Sequence, residues 1–276
     1  MRLLITLAVA SLVVAAPHAQ DPAADVPARA KAFDELLDLN VRGGEVYYRA
    51  IKSQRGKLDA YVSGLSTIAA DKLPRDEQVA FWLNAYNALV LQTVVDHYPI
   101  AKTTNMYPAK SIRQIPGAFD KQAHHVAGRT LSLDQIEQTV LASFHDPRIY
   151  FAMGRGAEGG GRLRSEAFVA SRLEQQLSEA EAECDSRAQC LEIDRGEGRI
   201  SVSAIFSWRE KDFVAAYADK APDVFANRSP IERAVVAFVE PKLLPAEREF
   251  VAKNTFAMAY KPFDWTLNDL TGRGGR

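Results

Sequence analysis

The chain has 276 residues, with 34 Lys and Arg against 35 Asp and Glu, and no long basic run or aromatic-basic interleave. That balance excludes a nucleic acid or an anionic membrane surface as the expected partner. The length is within the range of one large domain with a substantial core.

The first residues, MRLLITLAVASLVVAAPHAQ, place Arg2 ahead of an apolar run from Leu3 to Ala16 and then small residues. This is the pattern of an export signal, too short and wrongly flanked for a membrane span. No second apolar stretch of spanning length follows, so a periplasmic or extracellular protein without a membrane span is expected. Residues 1–20 read as signal and cleavage region, 21–44 as linker and N-terminal helix, and 45–276 as a single globular domain. Two cysteines, Cys184 and Cys190, in an exported chain favour a disulfide over a metal pair.

Helical spacing appears at Phe33, Leu36 and Leu37 and again at Leu58, Tyr61, Val62 and Leu65, with Gly43 and Gly44 breaking the chain between them. After Pro74 a long helix follows, acidic in its first turn, apolar almost all round and closed before Pro99. A helix of that kind is central and buried. His124 to Val126 and Thr130 to Leu131 flank Ala127-Gly128-Arg129 as a hairpin, and Ser132 to Gln135 is a capping box opening a helix. Ile149 to Met153 reads as a strand, and a helix is expected from Ser165 to about Glu183. Leu191, Ile193, Ile200 and Val202 alternate about a turn at Arg195 to Gly198. Ser207 opens a helix through Tyr217, Ser229-Pro230 caps another, and Thr255 to Tyr260 is a strand. Short strands among helices without βαβ alternation indicate an α+β fold, with helices around a small mixed or antiparallel sheet and a long central buried helix.

The stretch Gly154-Arg155-Gly156-Ala157-Glu158-Gly159 fits G-x-G-x-x-G. In a dinucleotide fold those glycines admit a pyrophosphate at the start of a helix. Here Gly160, Gly161, Arg162 and Leu163 intervene before the expected helix, and no parallel strand-helix-strand order surrounds it. A dinucleotide site is therefore set aside, and no cofactor is expected.

The stretches FWLNAYNALV, SLDQIE, DPRIYFAMGRGAEGGGRLRSEAF, SAIFSWREKDF and PFDWTLND, in this order, resemble the domain of unknown function 547 family over residues 45 to 270. The resemblance implies a histidine after the acid of the SLDxIE helix, another within PRIxFA, and two cysteines in the following loop. This chain has Gln138, Tyr150, Arg155 and Gly160 in those places. Thiol chemistry needs a thiolate kept ionised by a neighbouring imidazolium, and arginine supplies neither. Either the family cysteines are catalytic and this chain has lost their reaction, or they form a crosslink that glycines replace.

Two functional readings follow. In the first the protein is a catalytically altered or non-catalytic member. It binds a small anionic ligand or a protein partner at the glycine-rich loop, through Arg155, Gly154, Gly156 and Arg148, ahead of a helix N-terminus. In the alternative it is an exported hydrolase or acyl transferase built from Glu137, His124 or His125, and the polar stripe of Asn84 and Asn87, one turn apart on the central helix. Against that stripe stands a plainer role for both amides, satisfying backbone groups of an adjacent loop. Against the catalytic role of Glu137 stands a structural one, as a buried partner of Arg148 or Arg155. His124 and His125 alternate on a strand without a metal-spaced partner, so no metal site is expected. Trp208, Asp212, Asp264 and Trp265 read as packing and capping residues.

The signal-like start predicts a mature protein lacking at least the first 16 residues, with Cys184 and Cys190 joined. Intact-mass measurement after alkylation without reduction checks both. Two alkylated thiols would reject the disulfide.

Overall fold

The computed structural model describes residues 26–273. The expected export signal and residues 21–25 of the expected linker lie outside the described residues. The N-terminal part comprises α1 (Val26–Asn40), a hairpin of β1 (Val41–Arg42) and β2 (Glu45–Val46), then α2 (Tyr48–Ser53), α3 (Gly56–Gly64) and α4 (Arg75–His97). Gly43 and Gly44 both have positive φ, so the expected break is the tight turn of this hairpin.

α4 is the axis of the fold. Asp76 and Glu77 sit in its first turn, where they oppose the helix dipole, and the chain leaves it in extended conformation at Tyr98, ahead of Pro99. Val79 to Leu91 is buried without interruption, and α1, α2 and α3 pack against the helix. Phe33, Leu36 and Leu37 of α1 belong to this same core. Its two asparagines each hold a strand of irregular backbone. Asn84 donates from Nδ2 to the Phe168 carbonyl and accepts from the Phe168 amide, both at 2.8 Å. Asn87 donates to the Ala152 carbonyl at 3.3 Å and accepts from the Gly154 amide at 2.9 Å.

Next come the hairpin of β3 (His124–Val126) and β4 (Arg129–Leu131), α5 (Leu133–Gln135) with both halves of its capping box formed, and a π-helical continuation, Ile136–Leu141. α6 (Ile149–Ala152) lies where a strand was expected. Asp146 explains it, since its carboxylate accepts the Arg148 amide and its carbonyl accepts from Ile149, starting a helical turn at Pro147. A short run buried on every side has no period with which to distinguish helix from strand.

The helix expected from Ser165 begins at Leu173 instead, as α7 (Leu173–Asp185). Residues 167–169 are held out of helical form by side chains. Asp34 accepts the Ala167 amide, Asn84 clasps Phe168, and Gln176 accepts the Val169 amide and donates to the Ala167 carbonyl. The remainder is a three-stranded sheet of β5 (Leu191–Asp194), β6 (Arg199–Ser203) and β7 (Ala257–Lys261). β5 and β6 pair antiparallel with Leu191 opposite Val202 and Ile193 opposite Ile200; β7 runs parallel to β6. Between β6 and β7 lie α8 (Ala204–Trp208), α9 (Glu210–Tyr217), α10 (Pro230–Val239), opened by the Ser229 capping box, and α11 (Pro245–Ala252). The segment expected as one helix from Ser207 to Tyr217 is thus broken at Arg209. Phe151, Phe206, Phe213 and Phe238 pack together where α6 meets α8, α9 and α10. The protein is an α+β fold of helices and small sheets, and among the described residues no helix is long and apolar enough to cross a membrane.

Cys184 and Cys190 form a disulfide between the end of α7 and the start of β5. Beside it, both carboxylate oxygens of Asp185 are sealed from solvent without a hydrogen-bond partner. Burial first, then the neighbouring Glu181, push the Asp185 carboxyl up to about 8, against a smaller opposing pull from Lys242. The folded chain therefore holds a proton that the unfolded chain releases near pH 4, so this residue lowers stability as pH rises from about 4 to about 8. Asp185→Asn should stabilise the protein by on the order of a few kcal/mol at pH 8 and by almost nothing at pH 4. Denaturant melts at the two pH values check this; an equal gain at both would mean Asp185 is ionised in the fold.

Candidate functional site

Glu137 lies in the first turn of the π-helical segment, a geometry that recurs at functional sites. It is 7% exposed and meets two arginines from distant segments. Arg155 donates from Nη2 to Oε1 at 2.8 Å and from Nε to Oε2 at 3.3 Å, and its Nη1 holds the Tyr150 carbonyl at 3.0 Å. Arg209, at the break between α8 and α9, donates to Oε1 from both Nη2 and Nε. Its guanidinium rests on the Tyr150 ring, 4.8 Å from the centroid, while the Tyr150 hydroxyl donates to Asp212. Tyr86 of α4 reaches Glu137 Oε2 at 3.4 Å.

Burial alone would raise the Glu137 carboxyl. The fields and hydrogen bonds of Arg155, then Arg209, outweigh it and hold the group down at about 2. Burial weakens the Arg155 charge, and Glu137 more than restores it. The cluster is permanently ionised through the physiological range.

Beside this cluster opens a cavity of about 320 Å³, lined by Glu137, Gln138, Arg155, Arg209, Asp134, Arg113 and the rings of Phe119, Trp208 and Trp265. Arg113 stands on a short 3₁₀ turn, Ile112–Gln114, capped by Ser111. The buried Gln114 amide fixes that turn by bonding five backbone groups between Thr103 and Pro108. The Arg113 guanidinium lies 4.5 Å from the Phe119 centroid and 4.2 Å from that of Trp265. Its Nε is buried and bonded to nothing.

The glycine-rich loop contributes Arg155 to the lining and holds a further part of it in place. The Glu158 amide donates to the Thr266 carbonyl and the Gly159 amide to the Asp264 carbonyl, both at 2.9 Å, which clamps the segment carrying Trp265. A Cβ on Gly159 would sit 2.6 Å from the Asp264 nitrogen, and one on Gly161 would sit 1.8 Å from the Phe151 oxygen. Close backbone approach demands these glycines. The amides of Gly154, Glu158, Gly159 and Gly160 are all engaged within the protein. The helix start expected at Ser165, directly after the loop, lies at Leu173 instead.

Of the residues singled out in the sequence, the structure brings Glu137, Arg155, Trp208 and Trp265 to one cavity, while Asn87 meets Gly154 away from it. Arg148 pairs with Asp146 and Glu174. Asn84 and Asn87 bond backbone, and Gly154 and Gly156 lie outside the cavity lining. Gly156 has φ of 64°, packed toward Val90 and Ile112. His124 is half-buried with Nε2 bonded to nothing and its basicity lowered by burial, again outside the lining. Sequence reasoning missed Arg113, Arg209 and Asp134. Arg209 sits within SAIFSWREKDF, a stretch already quoted for the family, whereas Arg113 stands in a segment without periodicity. Among the described residues, no three of His, Cys, Asp and Glu come together to hold a metal ion.

The four positions at which the resemblance implied thiol and imidazole side chains gather here. Gln138 and Arg155 line the cavity, Tyr150 supports both arginines, and a Cβ on Gly160 would lie 3.7 Å from the Arg155 Cβ. The family whose description reads "Protein of unknown function, DUF547" matches residues 70–183, which contain this cluster apart from Arg209. Over this stretch the chain is similar to that family and lacks the loop cysteines that the resemblance implies. No curated protein and no solved structure gave a match.

Removing one charge from a buried ion pair strands the other, at a cost of about 3 to 5 kcal/mol. Glu137→Gln should lose that much stability at neutral pH. Because the folded pKa lies below the unfolded one, the Glu137 contribution is complete above about pH 4.5 and lost as pH falls through about 2. Denaturant unfolding at pH 7 and pH 3 should therefore show a smaller difference between the two proteins at pH 3. Equal stabilities at pH 7 would remove Glu137 as the anchor of the cluster.

Proposed function

We propose that this chain is an exported, non-catalytic member of its family that binds a small ligand through an anionic group in the cavity beside Glu137. The observation that carries the reading is the make-up of that cavity. Its lining holds no cysteine, serine, histidine or lysine, and its one deeply buried carboxylate is neutralised by arginine. A nucleophile or a proton-transfer base of the usual kinds is missing where relatives are implied to carry them. Three guanidinium groups against two carboxylates leave one positive charge, and among the described residues Arg113 is the cavity cation without an ion pair. The anionic contact is therefore assigned to Arg113, with Arg155 holding the wall in place. The export reading rests on the sequence of residues 1–20 and on the disulfide.

Melts in phosphate, sulfate, acetate and benzoate at constant ionic strength test the reading. A bound anion at a hundredfold excess over its dissociation constant should add about 2.7 kcal/mol. Arg113→Met should lose that gain and Arg148→Ala should keep it. Iodoacetamide treatment of the native protein should leave binding unchanged, because both cysteines are joined. Equal stabilisation of the wild type and Arg113→Met, or none in either, would sink the proposal.

A further inference from the structure

The same cavity holds a second unpaired charge. Asp134 lies on α5, one turn before Glu137, and forms no ion pair or side-chain hydrogen bond among the described residues. Partial burial, then the neighbouring Glu137, raise its carboxyl, and Arg113 and Arg209 pull the other way without overcoming them. Two charges of opposite sign thus line one cavity, each short of water and neither bonded to the other. Among the described residues neither charge recovers its lost hydration in an ion pair.

We infer that the cavity takes a zwitterion, a single free α-amino acid with a large apolar side chain, whose carboxylate meets Arg113 and whose ammonium meets Asp134. This rests on the reading of the cavity as a binding site. A plain anion satisfies Arg113 but places its charge beside Asp134 and Glu137. A plain cation satisfies Asp134 but faces three guanidinium groups. Only a ligand carrying both charges leaves neither wall opposed, and like charges brought together at close range are costly. Arg113 is pre-oriented by its two flanking rings and needs no ordering on binding, which suits a planar carboxylate.

The rest of the lining fixes the side chain. Trp208 is 46% exposed and its ring is nearly parallel to Trp265, 6.1 Å away, with Phe119 in an edge contact with Trp265 at 5.7 Å. These faces receive an aromatic or large aliphatic group. About 320 Å³ stands at the lower end of small-ligand sites, which run from about 300 to 1,000 Å³, and favours one residue over a peptide.

Calorimetric titration of the wild type with L-phenylalanine, N-acetyl-L-phenylalanine and L-phenylalaninamide decides the matter without requiring any variant to fold. The free amino acid should bind at least tenfold more tightly than either blocked form. Asp134→Asn should erase its advantage over the N-acetyl form, and Arg113→Met its advantage over the amide. N-acetyl-L-phenylalanine binding as tightly as the free amino acid would overturn the zwitterion inference while leaving an anion-binding cavity. Failure of all three to bind would also overturn it, and the simple-anion melts would then decide separately whether the cavity binds anions at all.

Discussion

A carboxylate stripped of most of its water stays ionised only if the protein returns what the solvent supplied. Glu137 receives it from two guanidinium groups and a phenol, brought from the start of the glycine-rich loop, from the break between α8 and α9, and from the central helix. Each guanidinium fixes a segment that has no regular structure of its own to hold it. Arg155 ties the loop; the loop, by backbone bonds to Asp264 and Thr266, ties the segment that carries Trp265; and Trp265 is one of the two rings between which Arg113 lies. The cavity is in this sense a consequence of one buried ion cluster. Because all three charged members are already committed to one another, the cluster is structural, and the groups free to meet a ligand are the ones around its rim.

The asparagines of α4 follow the same logic at lower cost. A helix buried on all sides offers no solvent to the backbone that crosses it, so any irregular segment beside it must find its hydrogen bonds on side chains. Asn84 serves residue 168 and Asn87 serves residues 152 and 154, and the plainer of the two expectations about them matches these bonds. A polar stripe on an apolar helix can mark a cleft or a neighbouring backbone, and only the neighbour's identity separates the two.

What the sequence disclosed was what is decided locally. The capping boxes at Ser132 and Ser229, the hairpin turns at Gly128 and Gly198, and the all-round burial of the helix after Pro74 depend on residues within a few positions of one another, and each is present. The misread elements depend on distant partners. Residues 167–169 stay extended because Asp34, Asn84 and Gln176 bond them, and no local propensity reports that. Ile149 to Ala152 had a local signal in Asp146-Pro147, overridden by a run of apolar residues that resembles a buried strand. In the site, Glu137 was reachable through the family motif, whereas Arg113 draws its meaning from Phe119, Trp265 and a missing counter-charge, none of which has a fixed spacing from it.

The two positions where relatives are implied to carry cysteines bear on which of their two possible roles the fold accommodates. A Cβ on residue 160 would stand 3.7 Å from the Cβ of residue 155, within the range of about 3.5 to 4.5 Å that a disulfide spans. The backbone therefore presents these positions as a pair able to close the loop upon itself. In this chain one of them is glycine, yet the loop remains packed, because the other has become an arginine that reaches Glu137 and the Tyr150 carbonyl. An ion pair and a carbonyl contact do the tethering that a crosslink would do. The exchange places a permanent positive charge in the wall of the cavity, which a disulfide would have left neutral. If the family cysteines are a crosslink, the substitution that replaces it is also the one that adds the Arg155 guanidinium to the cavity lining.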